Sequence, residues 1–241
     1  MICDNIKIIL ERIEKAKNKV GLKKDIKLVA VTKTVSADRI IEAIGCGITI
    51  IGENRVQEAE RKFYELSLVQ SSEFRVQSIK KHLIGHLQTN KVKKAVELFD
   101  LIQSVDSIHL LEEINKQAEK IGKIQECFIE IKVSEEETKY GLNPTELESF
   151  MEKAANLKNV KISGLMAIAP YFENPELARP YFRRAKELFD RFYSQLSTLN
   201  SQLFLSMGMT GDFEVAIEEG SNMVRIGTGI FHNVAPDFSR G

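Results

Sequence analysis

The sequence predicts one closed barrel of eight parallel strands, each followed by a helix, with an extra helix in front. Three observations lead there. Short apolar runs rich in Val and Ile alternate strictly with longer stretches of helical periodicity, and that alternation implies a parallel sheet. Eight strand–helix units fit in 241 residues, close to the roughly 250 residues typical of a (β/α)8 barrel. No G-x-G-x-x-G follows the first strand, which argues against an open dinucleotide-binding sheet. No Pro/Gly/Ser-rich linker divides the chain. Residues 1–241 are therefore read as one domain, with 1–24 a helical segment packing on the barrel.

In residues 3–20, Ile6, Leu10, Ile13, Ala16 and Val20 recur at steps of three or four, the pattern of an amphipathic first helix. Leu28 to Val31 is apolar, contains two β-branched valines and is too short for a buried helix, so it reads as the first strand, running to Lys33. Ser36 caps a second helix with Ile40, Ile41 and Ile44 inside, ended by Gly45 and Gly47. Ile48 to Ile51 is the second strand, and a helix from about 55 to 68 follows. Leu83 to Gly85 is a short third strand ending at His86, and 90–99 is helical. Leu101 to Val105 is the fourth strand, and 108–121 returns as helix. Cys127 to Val133 is the fifth.

Asn143-Pro144 opens a helix through Leu157, with proline at its first position. Val160 to Ala169 is the sixth strand, broken by Pro170. Asn174-Pro175 repeats the start signal for the longest helix, through Leu199, whose Tyr181, Ala185, Leu188, Phe192 and Leu196 read as a core stripe. Leu203 to Met207 is the seventh strand, and 212–219 a short helix. Met223 to Ile226 is the eighth, followed by Gly227-Thr228-Gly229.

Composition narrows the function. Lys plus Arg equals Asp plus Glu at 34 each, which argues against a broad positive field for nucleic acid. Lys80, Lys81, Lys91, Lys93 and Lys94 lack interleaved aromatics and read as solvated surface. Cys3, Cys46 and Cys127 are far apart, odd in number and in no metal spacing, so they are read as free thiols in a reducing compartment. The N-terminus, with Asp4 and Glu11, does not read as a signal peptide. No apolar run approaches the roughly 20 residues of a membrane span. The expectation is a cytoplasmic protein.

In a parallel barrel, chemistry is done at the C-terminal ends of the strands. Lys33, Asn54, His86, Ser104, Lys132, Met166, Ser206 and Arg225 fall at that rim, with Gly227 and Thr228 after the last strand. A lysine held against apolar walls is desolvated and becomes a Schiff-base nucleophile. A solvated lysine marking the strand's end is the plainer reading of Lys33. Ser206 to Gly211 and Gly227 to Gly229 combine glycines with hydroxyls at the two loops that often bind phosphate in such barrels. His86 reads as a base or a ring-stacking partner, and no second ligand stands at zinc spacing. His109 and His232 read as surface residues. Glu53 and Glu58 are a candidate acid/base pair, although Glu58 fits a solvated helix face better.

Several stretches taken together resemble one family. They are Ala30 to Thr34 (AVTKT), Ile51 to Glu58 (IGENRVQE), His82 to Lys91 (HLIGHLQTNK), Gly164 to Ala167 (GLMA), Leu205 to Thr210 (LSMGMT) and Val224 to Thr228 (VRIGT). In this order they resemble the pyridoxal phosphate homeostasis proteins, the YggS/PROSC family. The resemblance implies a barrel like the N-terminal domain of alanine racemase (PLP fold type III) and pyridoxal 5′-phosphate (PLP) held as an internal aldimine on Lys33. It implies Ser206, Gly227 and Thr228 at the phosphate and Arg225 facing the pyridine nitrogen. Asn54 and His86 would line the ring, with Met166 and Met207 as apolar walls.

No catalytic or metal-binding residue is implied. The implied role is intracellular PLP (vitamin B6) homeostasis without robust turnover. PLP-dependent apoenzymes would be recipients, with no nucleic acid or membrane partner, in a monomer or weak homodimer. The rival readings are a PLP-dependent racemase or decarboxylase and a PLP-independent aldolase. Racemases of this fold take a second base from a further domain, for which the chain leaves no residues after the eighth strand. Departures from the family pattern are Thr210-Gly211-Asp212 for Ser-Asp-Asp, Gly229 for alanine and His232 for glycine. The first keeps a hydroxyl.

Overall fold

The computed structural model describes residues 1–68, 79–134, 140–196 and 203–232. Eight parallel strands close into a barrel in chain order: β1 (Lys27–Val31), β2 (Ile50–Glu53), β3 (Lys80–Leu83), β4 (Leu101–Val105), β5 (Gln125–Glu130), β6 (Val160–Met166), β7 (Phe204–Ser206) and β8 (Met223–Ile226). Closure is made by β1 on β8, with Leu28 opposite Val224 and Ala30 opposite Ile226. Because every strand is parallel, all eight C-terminal ends meet at one mouth.

Helices α1 (Ile2–Lys19), α2 (Ala37–Gly45), α3 (Val56–Leu68), α4 (Val92–Leu98), α5 (Ile108–Lys120), α6 (Leu147–Ala154), α7 (Arg179–Leu196), α8 (Phe213–Glu218) and α9 (Thr228–Phe231) surround it. Among the described residues, no helix is long and apolar enough to cross a membrane. The core has two parts. An outer layer lies between strands and helices, and a smaller cluster of Val29, Leu101, Phe128, Met166 and Met223 fills the barrel itself.

The elements differ from expectation mainly at their ends. Strand five stops at Glu130 instead of Val133, and β6 at Met166, well before Pro170. β3 begins at Lys80 and ends at Leu83, upstream of the expected run. Both Asn-Pro signals open 3₁₀ turns, Pro144–Glu146 and Pro175–Ala178, before the helices proper. Each is capped by its asparagine, whose Oδ1 accepts a backbone N–H two residues on. The end of the longest helix expected at 197–199 lies outside the described residues.

On α1 the buried stripe is Ile2, Ile6, Ile9, Ile13 and Ala16, each removed from water at about 1.5–3 kcal/mol for a large aliphatic side chain. Leu10 and Val20, expected inside, are 46% and 43% exposed. The true stripe follows the 3.6-residue period through Ile9 rather than Leu10. This helix packs on α2, α8 and α9.

The reading of three free thiols is overturned. Cys3 on α1 and Cys46 at the end of α2 form a disulfide, with Cα atoms 5.2 Å apart and 43 residues between them in sequence. Docking of the first helix on the second brings them together, which linear spacing does not reveal. Only Cys127 is free and buried, and the reducing-compartment reading loses its support.

Candidate cofactor site

Lys33 follows β1 in a sharp turn at the mouth. Val29 on β1 belongs to the barrel-filling cluster, and Lys33 lies two residues past the strand's end. The side chain is exposed, not walled by apolar groups as expected. Among the described residues its amine has no hydrogen-bond or ion-pair partner. Thr34, next in sequence, has φ 61°, a left-handed backbone that a β-branched residue seldom adopts.

On one side of Lys33 the ends of β2 and β3 open into a cavity of about 1010 Å³, lined by Asn54, Arg55, His86, Lys91 and Tyr140 among others. His86 stacks on Tyr140 with centroids 3.7 Å apart and planes 13° apart. Its Nδ1 lies 3.2 Å from Asp106 Oδ2. Asn54 and Gly85 touch through their backbones: a Cβ at Gly85 would fall 2.3 Å from Asn54 O, so only glycine fits. Ser104 sits behind, donating its hydroxyl to Gly85 O at 2.7 Å.

On the other side are the loops after β7 and β8. Thr228 Oγ1 donates to Thr210 Oγ1 at 3.0 Å, and Gly229 N–H points at the same oxygen at 3.3 Å. Gly208, with φ 93°, lets the first loop turn against α8, where a Cβ would meet Ala216 Cβ at 2.6 Å. At Gly227 a Cβ would sit 3.2 Å from both Cβ and O of Val31. The β8 loop therefore abuts the end of β1, and the hydroxyl pair is a close neighbour of the Lys33 turn.

Beneath the mouth runs a buried polar chain. Arg225 Nη1 donates to Ser206 Oγ at 2.7 Å and Ser206 O at 2.8 Å, and Nη2 donates to Ala167 O at 3.0 Å. Ser206 Oγ donates onward to Gln103 Oε1 at 2.7 Å. Gln103 Nε2 donates to His82 Nδ1 at 2.9 Å. Burial pushes His82 down to about 4, so the ring is neutral and able to accept. Burial also lowers Arg225 to about 10, against the attraction of Glu130 and Asp212, which leaves it cationic at neutral pH. Glu130, also buried, is pushed up to about 7 despite Arg225.

The structure thus gathers Lys33, Asn54, His86, Gly227 and Thr228 at the rim and sets Arg225, Ser206 and Met166 below it. Two expectations change. Ser206's hydroxyl is bonded to Gln103 and Arg225, and Thr210 adds a hydroxyl that the expectation did not include, paired with Thr228. Met207 is not an apolar wall of the mouth. Successive residues of a strand face opposite ways, and with Ser206 turned inward Met207 is fully buried in the outer core.

Glu53 and Glu58 are no acid/base pair. Both bind the ammonium of Lys62, which is 3% exposed. Lys62 passed unnoticed in the sequence, although it falls on the apolar stripe of α3 with Ala59, Phe63 and Leu66. Among the described residues no group of three or more His, Cys, Asp and Glu suits a metal ion.

The donor set fits PLP. The Thr210 and Thr228 hydroxyls and the Gly229 N–H, bonded to one another here, are groups of the kind a phosphate takes, an unpaired primary amine suits an aldehyde, and a buried guanidinium that only donates suits an unprotonated pyridine nitrogen. Comparison with known proteins agrees. The family model described as "Alanine racemase, N-terminal domain" matches residues 5–233. A protein of Aquifex aeolicus named "Pyridoxal phosphate homeostasis protein" is 44% identical over 230 residues, 95% of this chain and 96% of that one. The chain belongs to the pyridoxal phosphate homeostasis protein family.

Among solved structures of the family, PipY of Synechococcus elongatus PCC7942, with PLP bound, is 32% identical and superposes with a TM-score of 0.82, covering 96% of this chain and all of that one. The alanine racemase of Clostridium difficile 630 shares the fold, with a TM-score of 0.67 at 15% identity over 97% of this chain and 58% of the racemase.

Proposed function

We propose that the chain binds PLP, attaches it covalently at Lys33 and serves intracellular PLP homeostasis without efficient turnover, with PLP-dependent apoenzymes as recipients. The observation that carries this reading is the placement of Lys33. Its unpaired amine belongs to the turn that follows β1, the strand that neighbours β8, whose loop bears Thr228 of the Thr228–Thr210 hydroxyl pair. The naming of relatives as homeostasis proteins and the PLP held by PipY support it.

When bound, PLP supplies an aldehyde to an amine and a ring that can draw electrons from a substrate. The chain's residues handle the parts of that molecule separately. Thr210, Thr228 and the Gly229 N–H hold the phosphate. Asn54 and His86 bound the ring on the β2–β3 side, and Met166 supports it from within the barrel. Arg225, held by Ser206 and Ala167 O, would stand toward the pyridine nitrogen. Always a donor, it cannot accept a proton from that nitrogen and so does not strengthen the electron sink. The exposed mouth leaves water at the amine, which screens the charges a reaction would use. Both features favour holding and releasing the cofactor over turning over a substrate.

The test is a visible absorption spectrum of the purified protein with PLP, then borohydride reduction and peptide mapping. Label on Lys33 is expected; label confined to another lysine, such as Lys132, refutes the site. The loaded protein is then incubated with L-amino acids while optical inversion, CO₂ release and α-proton exchange are followed. Turnover near 1 s⁻¹ or more, roughly the lower end for enzymes, would make the protein a catalyst.

A further inference from the structure

Lys62 and Glu58 on α3 and Glu53 at the end of β2 form an ionic cluster beside the cofactor site, and Glu58 lines the same cavity as Asn54 and His86. Lys62 is 3% exposed and Glu53 fully buried. Lys62 Nζ uses all three of its hydrogens, on Thr32 O, on Glu53 Oε1 at 2.9 Å and on Glu58 Oε1 at 2.7 Å. Each carboxylate then grips the chain beside Lys33. Glu53 Oε1 accepts from Thr32 Oγ1 at 2.6 Å, and Glu58 Oε1 accepts from Thr34 N–H at 2.6 Å. Thr32 and Thr34 are thus both tied to one ammonium, and Lys33 between them is the residue left free. The Thr34 tie holds a left-handed backbone that would otherwise relax.

Hydrophobic groups of similar volume usually stabilise a core as well as a buried ion pair does. The feature that needs charge and direction here is the set of bonds aimed at particular backbone atoms. Burial works against the charge on Glu58, but the bonds from Lys62 and Thr34 outweigh it and hold the carboxyl below its usual range. Glu53 goes the other way, raised by burial against Thr32 and Lys62.

We propose that Lys62, Glu53 and Glu58 form a positioning cluster that fixes the backbone on both sides of Lys33, so that its amine meets an aldehyde at the mouth on one trajectory. This rests on the reading of Lys33 as the attachment point. In the condensation the Lys33 nitrogen bonds the aldehyde carbon, and the carbonyl oxygen leaves as water with the two amine hydrogens. The cluster touches none of these atoms. It acts through the turn, and a long side chain on a loose backbone reaches the reactive geometry less often.

Two ligands separate positioning from general damage. PLP reports capture by the amine, and pyridoxine 5′-phosphate, which lacks the aldehyde, reports the pocket alone. In Glu58→Ala, borohydride-trappable label on Lys33 is expected to form at least about tenfold more slowly at saturating PLP, a loss larger than any change in pyridoxine 5′-phosphate affinity. Glu58→Gln, whose amide oxygen still accepts from Thr34, is expected to restore the rate. Lys62→Met repeats the test from the centre of the cluster, with circular dichroism confirming the fold. Wild-type capture rates in folded Glu58→Ala and Lys62→Met overturn the proposal. So does an equal loss of both ligands, which marks a collapsed site. Labelling of the wild type at another lysine overturns the attachment reading itself, and the cluster proposal with it.

Discussion

The two sides of the barrel mouth are built from different interactions. On the β1–β2–α3 side the backbone around Lys33 is gripped by buried charges, one ammonium and two carboxylates. On the β7–β8 side the loop contacts are neutral, two threonine hydroxyls and a glycine N–H, with the Arg225 cation kept below in a chain of its own. The difference follows from what each side does. An amine on four rotatable bonds meets a carbonyl carbon at the right angle only if its backbone stays fixed. An anion that must come and go is better held by donors that water can replace. On the proposed reading, the side that would form the covalent bond is stiffened from inside, and the side that would hold the phosphate is lined by neutral donors.

The comparison breaks most visibly at Lys33. Lys33→Ala is expected to abolish borohydride-trappable PLP entirely. Because the side chain is exposed and unpartnered, unfolding free energy should stay within about 0.5 kcal/mol. Mass spectrometry and urea melts check the two halves; a large stability loss would mean that Lys33 itself holds the turn together.

Glu130→Gln tests the charge under the other side. Burial raises Glu130 from 4.5 to about 7 against the pull of Arg225. A carboxyl raised on folding favours its protonated form. Its burial therefore costs nothing below the ordinary value and destabilises increasingly as pH rises toward 7. Glu130→Gln should match the wild type at pH 4 and exceed it at pH 8 by on the order of 3 kcal/mol. A stability difference that does not vary between those pH values would remove this charge from the account.

The smallest effect is at the phosphate loop. Thr228→Val replaces a hydroxyl by a methyl of similar size. It should weaken PLP binding about tenfold, near the low end for a hydrogen bond to a charged group, about 1.5 kcal/mol. Capture at saturating PLP should keep its wild-type rate. A slower rate at saturation would show that the neutral side also aims the amine.

The strand count, the barrel and the rim were legible because they rest on local patterns: apolar runs of strand length, capped helices, glycines at two particular loops. Lys33, Asn54, His86 and Thr228 could be placed at one end from alternation alone. What escaped was non-local. Lys62 looks like any helix-surface lysine until β1 and β2 are packed against α3, although its place among Ala59, Phe63 and Leu66 was a visible signal. Ser206 ends β7 as the strand pattern indicates, but its partners come from β4 and β8, at sequence separations of 103 and 19 residues. The resemblance implies Met207 as a wall of the mouth, but strand alternation sends it and Ser206 opposite ways. Thr210 was noted as a departure that keeps a hydroxyl, and it is that hydroxyl which Thr228 and Gly229 meet.

The Cys3–Cys46 bond changes the connectivity of the molecule as well as its packing. The chain from residue 3 to residue 46 is a covalent ring, and β1 and Lys33 lie inside it. Asn5 Nδ2 donates to Ile230 O at 3.0 Å from this ring, and Arg39 donates to Phe231 O, so both last carbonyls of α9 are held by it. A protease that cuts the exposed connection between α1 and β1 opens the backbone there but releases no fragment. Both cut ends stay anchored, one through the disulfide and one through the sheet. Lys33 and the Thr228 loop remain parts of one covalent molecule after the cut.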